Sequence, residues 1–311
     1  MSHELSSMND LSLIMDRLFI PKQGLTPKSE RTYRIDMVNS YINHCGQVYK
    51  RQILNSTYTR IVREITEDAI AFLGHRWDKV TFINRVPKMP VTPVDWTFIQ
   101  GKTFNTFLVF SNERCEQIWL RAKDKNENPW ECFRYIEEEY AEYPKLPATY
   151  LVIMQTMDIM GFESYMSYIH THAYTNKGWK MDEWELIQIP EREQGGEAKI
   201  GFGLYAENST FKNGKFYLKL TGYGKANNKI CAIFDYYCDN SRVKMQEKER
   251  SHIQRNGTSY YHGQIWIGLD NGDVERGTML ESYIALQEGD QKTPVHIRRK
   301  ILCESVSDPQ Q

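Results

Sequence analysis

The sequence predicts an α+β protein, with a small N-terminal helical bundle, an α/β middle region and a C-terminal antiparallel β meander forming a small barrel or curled sheet. Three observations carry this expectation. Tyr33, Met37, Val38, Tyr41 and Ile42, then Tyr58, Ile61, Val62, Ile65 and Ile70, recur at helical spacing. Short apolar runs and a capped helical segment alternate through the middle. Turn signals then recur at Asn213-Gly214, Asn227-Asn228, Asp239-Asn240, Asn256-Gly257 and Asn271-Gly272, at intervals that suit consecutive strands.

The head spans residues 22–85. Thr26-Pro27 offers an N-cap and a proline at the first helical position. A short second stretch covers Val48 to Leu54, and a third helix starts at Asn55-Ser56. This plan loosely resembles a helix-turn-helix unit. The resemblance implies that Lys50 and Arg51 contact phosphates, and that Ser56, Thr57, Thr59, Arg60 and Arg63 line a recognition helix with Arg60 reading a guanine edge. Residues 22–89 carry 12 Lys/Arg against 6 Asp/Glu, as a nucleic-acid-binding head would. Residues 111–190 carry 8 against 14, so the two segments can equally balance each other in a plain structural bundle.

Pro87, Pro90 and Pro93 interrupt helix and mark an extended linker. The middle region, 96–189, holds buried-strand candidates at 104–110 and 150–154. Asn128-Pro129-Trp130-Glu131 caps a helix between them. A further helix begins near Gly161, with Phe162, Met166 and Ile169 as its apolar stripe. His170 and His172 invite a metal reading, but on a helix residues i and i+2 point about 200° apart, which makes them surface or packing histidines.

The C-terminal module spans 190–304. Phe216, Leu218 and Leu220 alternate with Tyr217, Lys219 and Thr221, the pattern of a sheet with one buried face. A two-residue type I′ turn at Asn271-Gly272 would set Leu269 opposite Val274, Trp266 opposite Gly277 and His262 opposite Glu281. Tyr236, Tyr261, His262, Trp266 and Tyr283 form a candidate surface for a small-molecule ligand or protein partner, although aromatics on a sheet also serve as core.

The chain has no apolar run near 18 residues, no signal-peptide pattern at its start and no CxxC among its six cysteines. The expectation is a cytoplasmic protein without a membrane segment, with free thiols. It lacks a G-x-S-x-G elbow, and Gly222-Tyr223-Gly224-Lys225 fails as a phosphate loop because Lys219 and Ala226 occupy its defining positions. The leading expectation is a regulatory binding protein without cofactor, whose head contacts nucleic acid and whose β module senses a ligand or partner. A second is a Mg²⁺-dependent nuclease or phosphoesterase using Glu197 and Lys199 of an E-x-K triplet with Asp182 upstream. The third is an assembly subunit, a homo-oligomer whose sheet edges pair between copies.

Overall fold

The computed structural model describes residues 25–66, 70–94, 100–101, 103–109, 119–120, 178–187, 197–199, 208–247 and 251–306, together with 158–173 apart from positions 160, 164, 167 and 171. They are 69% strand and 7% helix, which overturns the N-terminal helical bundle and with it the helix-turn-helix reading. The strands are β1 (Glu30–Ile42), β2 (Val48–Ile65), β3 (Ile70–Arg85), β4 (Thr92–Val94), β5 (Thr103–Val109), β6 (Trp119–Leu120) and β7 (Glu185–Leu186). They continue with β8 (Glu197–Lys199), β9 (Thr210–Lys212), β10 (Phe216–Ala226), β11 (Lys229–Gln246), β12 (Gln254–Gly268), β13 (Val274–Glu288) and β14 (Thr293–Ser305). One short helix, α1, lies within 158–173.

The head is strand because its decisive period is two. Tyr33, Ile35, Met37 and Asn39 are buried, and Arg34, Asp36, Val38 and Ser40 alternate with them on the other face. Thr, Tyr and Ile crowd both β1 and β2, and such side chains fit a pleated, half-buried surface. Thr26-Pro27 opens a turn instead of a helix: Ser29 N donates to Thr26 O at 3.2 Å, and Lys28 sits at φ 61°. Asn43 closes the β1–β2 connection by accepting from Cys45 N at 3.0 Å and Gln47 N at 2.9 Å.

The sheet runs β6-β5-β3-β2-β1-β14-β13-β12-β11-β10-β7, with β4 on β3 and the β8–β9 pair on β11. All the named strand pairs are antiparallel, and the described middle strands β5, β6 and β7 belong to this same sheet. The segments expected at 128–143 and 150–154 lie outside the described residues. From β10 to β14 consecutive strands are neighbours, and β14 then pairs with β1 from Tyr33↔Ser305 to Ile42↔His296. Among the described strands the path is open, running from β6 to β7 without pairing its two ends.

The curl follows from α1. Glu163 reaches Arg60 on β2, while Tyr165 stacks on Phe216 of β10 with ring centroids 4.5 Å apart. Those strands are six spacings apart, about 29 Å along the sheet, and a helix with its side chains is only about 10–12 Å across. The sheet must therefore wrap round α1, giving an inner face and an outer one. Phe162, Met166 and Ile169, the expected stripe, are buried against the inner face with Tyr33, Trp77, Phe234 and Tyr236.

Among the turn signals, Asn227-Asn228 behaves as expected: both residues have positive φ, between Ala226 and Lys229, which pair directly. Asn240 instead lies in an irregularity inside β11, and Asn256-Gly257 lies within β12, where a Cβ on Gly257 would sit 2.4 Å from Ile284 O. The register expected for the last hairpin is also corrected. Its loop is longer than two residues, with Gly268 N donating to Asp273 O at 2.9 Å and Gly272 N to Gly268 O at 2.8 Å. Val274 consequently faces Ile267, Gly277 faces Ile265, and Glu281 faces Tyr261, while His262 and Trp266 turn to the outer face opposite Leu280 and Arg276.

Candidate functional site

Both faces of the sheet carry organised charge, and the inner one is closed. Arg60, 1% exposed, donates from Nη1 to Glu163 Oε1 at 2.8 Å and from Nη2 to Asp273 Oδ2 at 3.0 Å. Arg31 reaches Glu275 Oε2 at 2.5 Å and Asp273 Oδ2 at 3.3 Å. Glu275 also accepts from Lys229 at 3.0 Å, Asn271 at 3.1 Å and Ser305 at 2.5 Å. Arg31, Arg60 and Lys229 thus balance Glu163, Asp273 and Glu275.

The electrostatics match that closure. Burial raises the Glu163 carboxyl above its ordinary range, with Arg60 pulling the other way. Burial also pushes on Glu275, but Arg31, Ser305 and Lys229 outweigh it and hold the carboxyl low. Burial and Arg60 depress His75 to about 3, leaving a neutral ring hydrogen-bonded to Tyr58. The cluster fastens α1 and the β12–β13 loop to β1 and β2. Chemically it is a clamp.

A smaller cluster holds the start of α1. Arg299 donates to Asp158 Oδ2 at 2.7 Å and to Glu281 Oε2 at 2.6 Å, and Ser259 Oγ donates to Glu281 Oε1 at 2.5 Å. Burial pushes Asp158 up to about 7, with Arg299 opposing and Glu281 reinforcing the shift.

The outer face is organised in cross-strand rows. One runs Tyr260–Ser282–Arg298–Ser40–Arg51–Arg85 across β12, β13, β14, β1, β2 and β3. The next runs Tyr217–Tyr237–His262–Leu280–Lys300–Val38–Ile53–Ile83, from β10 to β3. Arg51, Arg85, Arg298 and Lys300 are all exposed, and neither row contains a carboxylate. The nearest carboxylates in the row beyond are occupied: Asp36 pairs with Arg34 at 3.6 Å, and Asp235 accepts from Gln264 at 2.9 Å. Cross-strand neighbours stand about 5 Å apart, so the three arginines form a cationic line roughly 14 Å long.

The residues expected to touch nucleic acid divide between the faces. Lys50 is half-buried over the Tyr41 ring, Arg51 is exposed in the cationic row, Thr57 is half-buried and Arg63 is exposed. Ser56, Thr59 and Arg60 are buried. Arg60 cannot read a base edge, because its guanidinium is held by two carboxylates in the core. Of the aromatic set, Tyr236, Tyr261 and Tyr283 are inner-face residues, with Tyr236 donating to Thr278 O at 2.7 Å and Tyr261 to Asn213 Oδ1 at 2.8 Å. His262 and Trp266 are on the outer face, where Arg276 covers the Trp266 ring.

The E-x-K triplet is not assembled with its acid. Glu197–Lys199 lie opposite 210–212, which lie opposite Arg242–Lys244, whereas Asp182 N bonds Leu220 O and Leu220 lies opposite Phe234. Those two places on β11 are roughly 25 Å apart. Asp182 pairs with Lys219 at 3.6 Å instead. His172 packs on Trp179 with centroids 4.1 Å apart, and no group of three or more His, Cys, Asp or Glu among the described residues is placed to hold a metal ion.

Sequence reasoning missed Arg85, Arg298 and Lys300. The signal was present in Ile297-Arg298-Arg299-Lys300-Ile301, where strand alternation sends Arg298 and Lys300 outward and Arg299 inward. Glu163 and Asp273, 110 residues apart in the chain, carried no local signal.

No protein-family model and no curated protein matches this chain. Among solved structures, one of lipid–protein interactions in lipovitellin is similar at 9% identity and a TM-score of 0.44. The match covers 91% of this chain and 25% of that one, so this chain spans about a quarter of its length. No helix among the described residues is long and apolar enough to cross a membrane.

Proposed function

We propose that this is a binding protein that holds nucleic acid against the outer face of its curled sheet. The observation that carries the reading is the cationic row Arg298–Ser40–Arg51–Arg85, with Lys300 beside it. Four exposed cations on one rigid surface, without a carboxylate in their rows, supply the sequence-independent attraction that a phosphate backbone needs. Charge complementarity selects the partner. The inner tyrosines are committed to the core beneath α1, so the reading rests on the outer face alone. A reducing, cytoplasmic setting suits the free cysteines Cys45, Cys231, Cys238 and Cys303.

The test is anisotropy of labelled oligonucleotides at about 50 and about 200 mM salt. Affinity is expected to fall steeply over that range, and Arg51→Ala is expected to flatten the log–log slope by about 1. Salt-insensitive binding, or binding to anionic vesicles but to no oligonucleotide, would overturn the reading.

A further inference from the structure

Resting on that reading of the outer face, we infer that its ligand is a single strand, whose bases stack on an aromatic cluster at the β10–β12 end of the cationic row. Cations alone accept a duplex and a single strand alike, because both present phosphates. The rings distinguish them. In a duplex the base faces are stacked on one another, whereas a single strand can lay them on aromatic side chains.

The cluster is continuous with the cations. Tyr260 stands in the arginine row itself, two strand spacings from Arg298, about 10 Å. His262 lies beside it with ring centroids 5.5 Å apart and faces Tyr237 directly across the strands. Tyr237 stacks on Tyr217 at 4.6 Å and meets Trp184 edge-on at 4.8 Å, and Lys219 lies over the Trp184 ring. Cross-strand pairing accounts for Tyr217 against Tyr237 as sheet stabilisation. It does not account for Trp184 at 45% exposure or Tyr260 at 44%, rings held in position with much of their surface in solvent. Of the carboxylates around these rings, Asp182 is engaged with Lys219 at 3.6 Å, Glu183 with Lys180 at 3.7 Å, Asp239 with Lys215 N at 3.0 Å and Asp235 with Gln264 at 2.9 Å. From β10 to β3 the track crosses seven spacings, about 34 Å, room for several nucleotides.

The experiment compares an oligothymidylate, the same strand with abasic sites, and a duplex of equal length, on the intact protein and on Trp184→Ala, Tyr260→Ala and Arg51→Ala. Both ring variants are at exposed positions, and thermal melting of each is the check that it folds. The oligothymidylate is expected to bind more tightly than the duplex, and each ring variant to lose roughly 5- to 100-fold on it with little change on the duplex. The abasic strand should bind the intact protein as weakly as oligothymidylate binds the ring variants, and Arg51→Ala should weaken strand and duplex together. Equal affinity for strand and duplex, unchanged in the ring variants, would overturn the single-strand inference and leave the nucleic-acid reading standing. Absence of salt-sensitive binding to any of the three would overturn both.

Discussion

Phe162 of α1 lies directly on Gly277 of β13: a Cβ at that glycine would stand 2.9 Å from two atoms of the ring. The helix can approach the sheet this closely only because the strand has no side chain there. Gly277→Ala is expected to destabilise the fold by about 1–3 kcal/mol through overpacking. Phe162→Leu in the same chain should recover part of the loss. Urea denaturation of the single and double variants measures both; additive losses would mean that the two residues do not share one contact.

Arg60→Met should be the more damaging change. It leaves Glu163 and Asp273 in the core without their shared cation, and breaking a buried pair from one side costs about 3–5 kcal/mol. Adding Glu163→Gln should restore part of the stability, because one of the stranded charges is then gone. A loss below about 1 kcal/mol in the single variant would show that water reaches the clamp.

Asp158 makes stability depend on pH. Its carboxyl is raised from 3.8 to about 7 in the folded protein. Between those values the folded state keeps a proton that the unfolded chain has released. The group's contribution is therefore full below about pH 4 and is lost as pH rises through 7. Asp158→Asn is expected to lessen the decline between pH 5 and 8 by about 1–3 kcal/mol. Denaturation midpoints at the two pH values check this, and parallel declines in both proteins would sink it.

The Asn227-Asn228 turn offers a change with opposite outcomes at adjacent positions. Asn227 donates to Ser305 O at 2.5 Å and Ser305 Oγ at 2.7 Å, so Asn227→Ala should cost about 1–2 kcal/mol. Asn228 has no such bond and sits at φ 63°, so Asn228→Gly should be neutral or slightly stabilising. Melting temperatures of the two variants should move in different directions or by clearly different amounts.

The C-terminal strands of this structure were more legible than the N-terminal head. Alternation at Phe216–Thr221 and the turn at Asn227-Asn228 follow from local rules, and both hold. In the head, Tyr33, Met37 and Tyr41 satisfy a helical period, but Tyr33, Ile35, Met37 and Asn39 satisfy a strand period as well. The β-branched and aromatic content of Thr32, Tyr33, Ile35, Thr57, Tyr58 and Thr59 decided in favour of the strand. Once β2 is a strand, the fate of Arg60 depends on Glu163 and Asp273, which only the tertiary fold brings to it. The last hairpin slipped by one residue because its loop closes on Gly268, and such a slip exchanges the inner and outer sets.

The seam between β1 and β14 has a consequence for how the molecule assembles. Tyr33 and Ser305 are partners across 272 positions of chain, and the two strands meet in the middle of the sheet, not at a rim. Until β14 exists, β1 presents an unpaired edge, and the two halves of the sheet can form as separate hairpin stacks but cannot join. Closing so long a loop is slow, and the open edge is prone to the wrong partner while it waits. The rate of folding should accordingly be set by this central seam, and side-chain changes along it, such as at Met37 or Ile301, should slow folding more than changes of equal cost near β5 or β10.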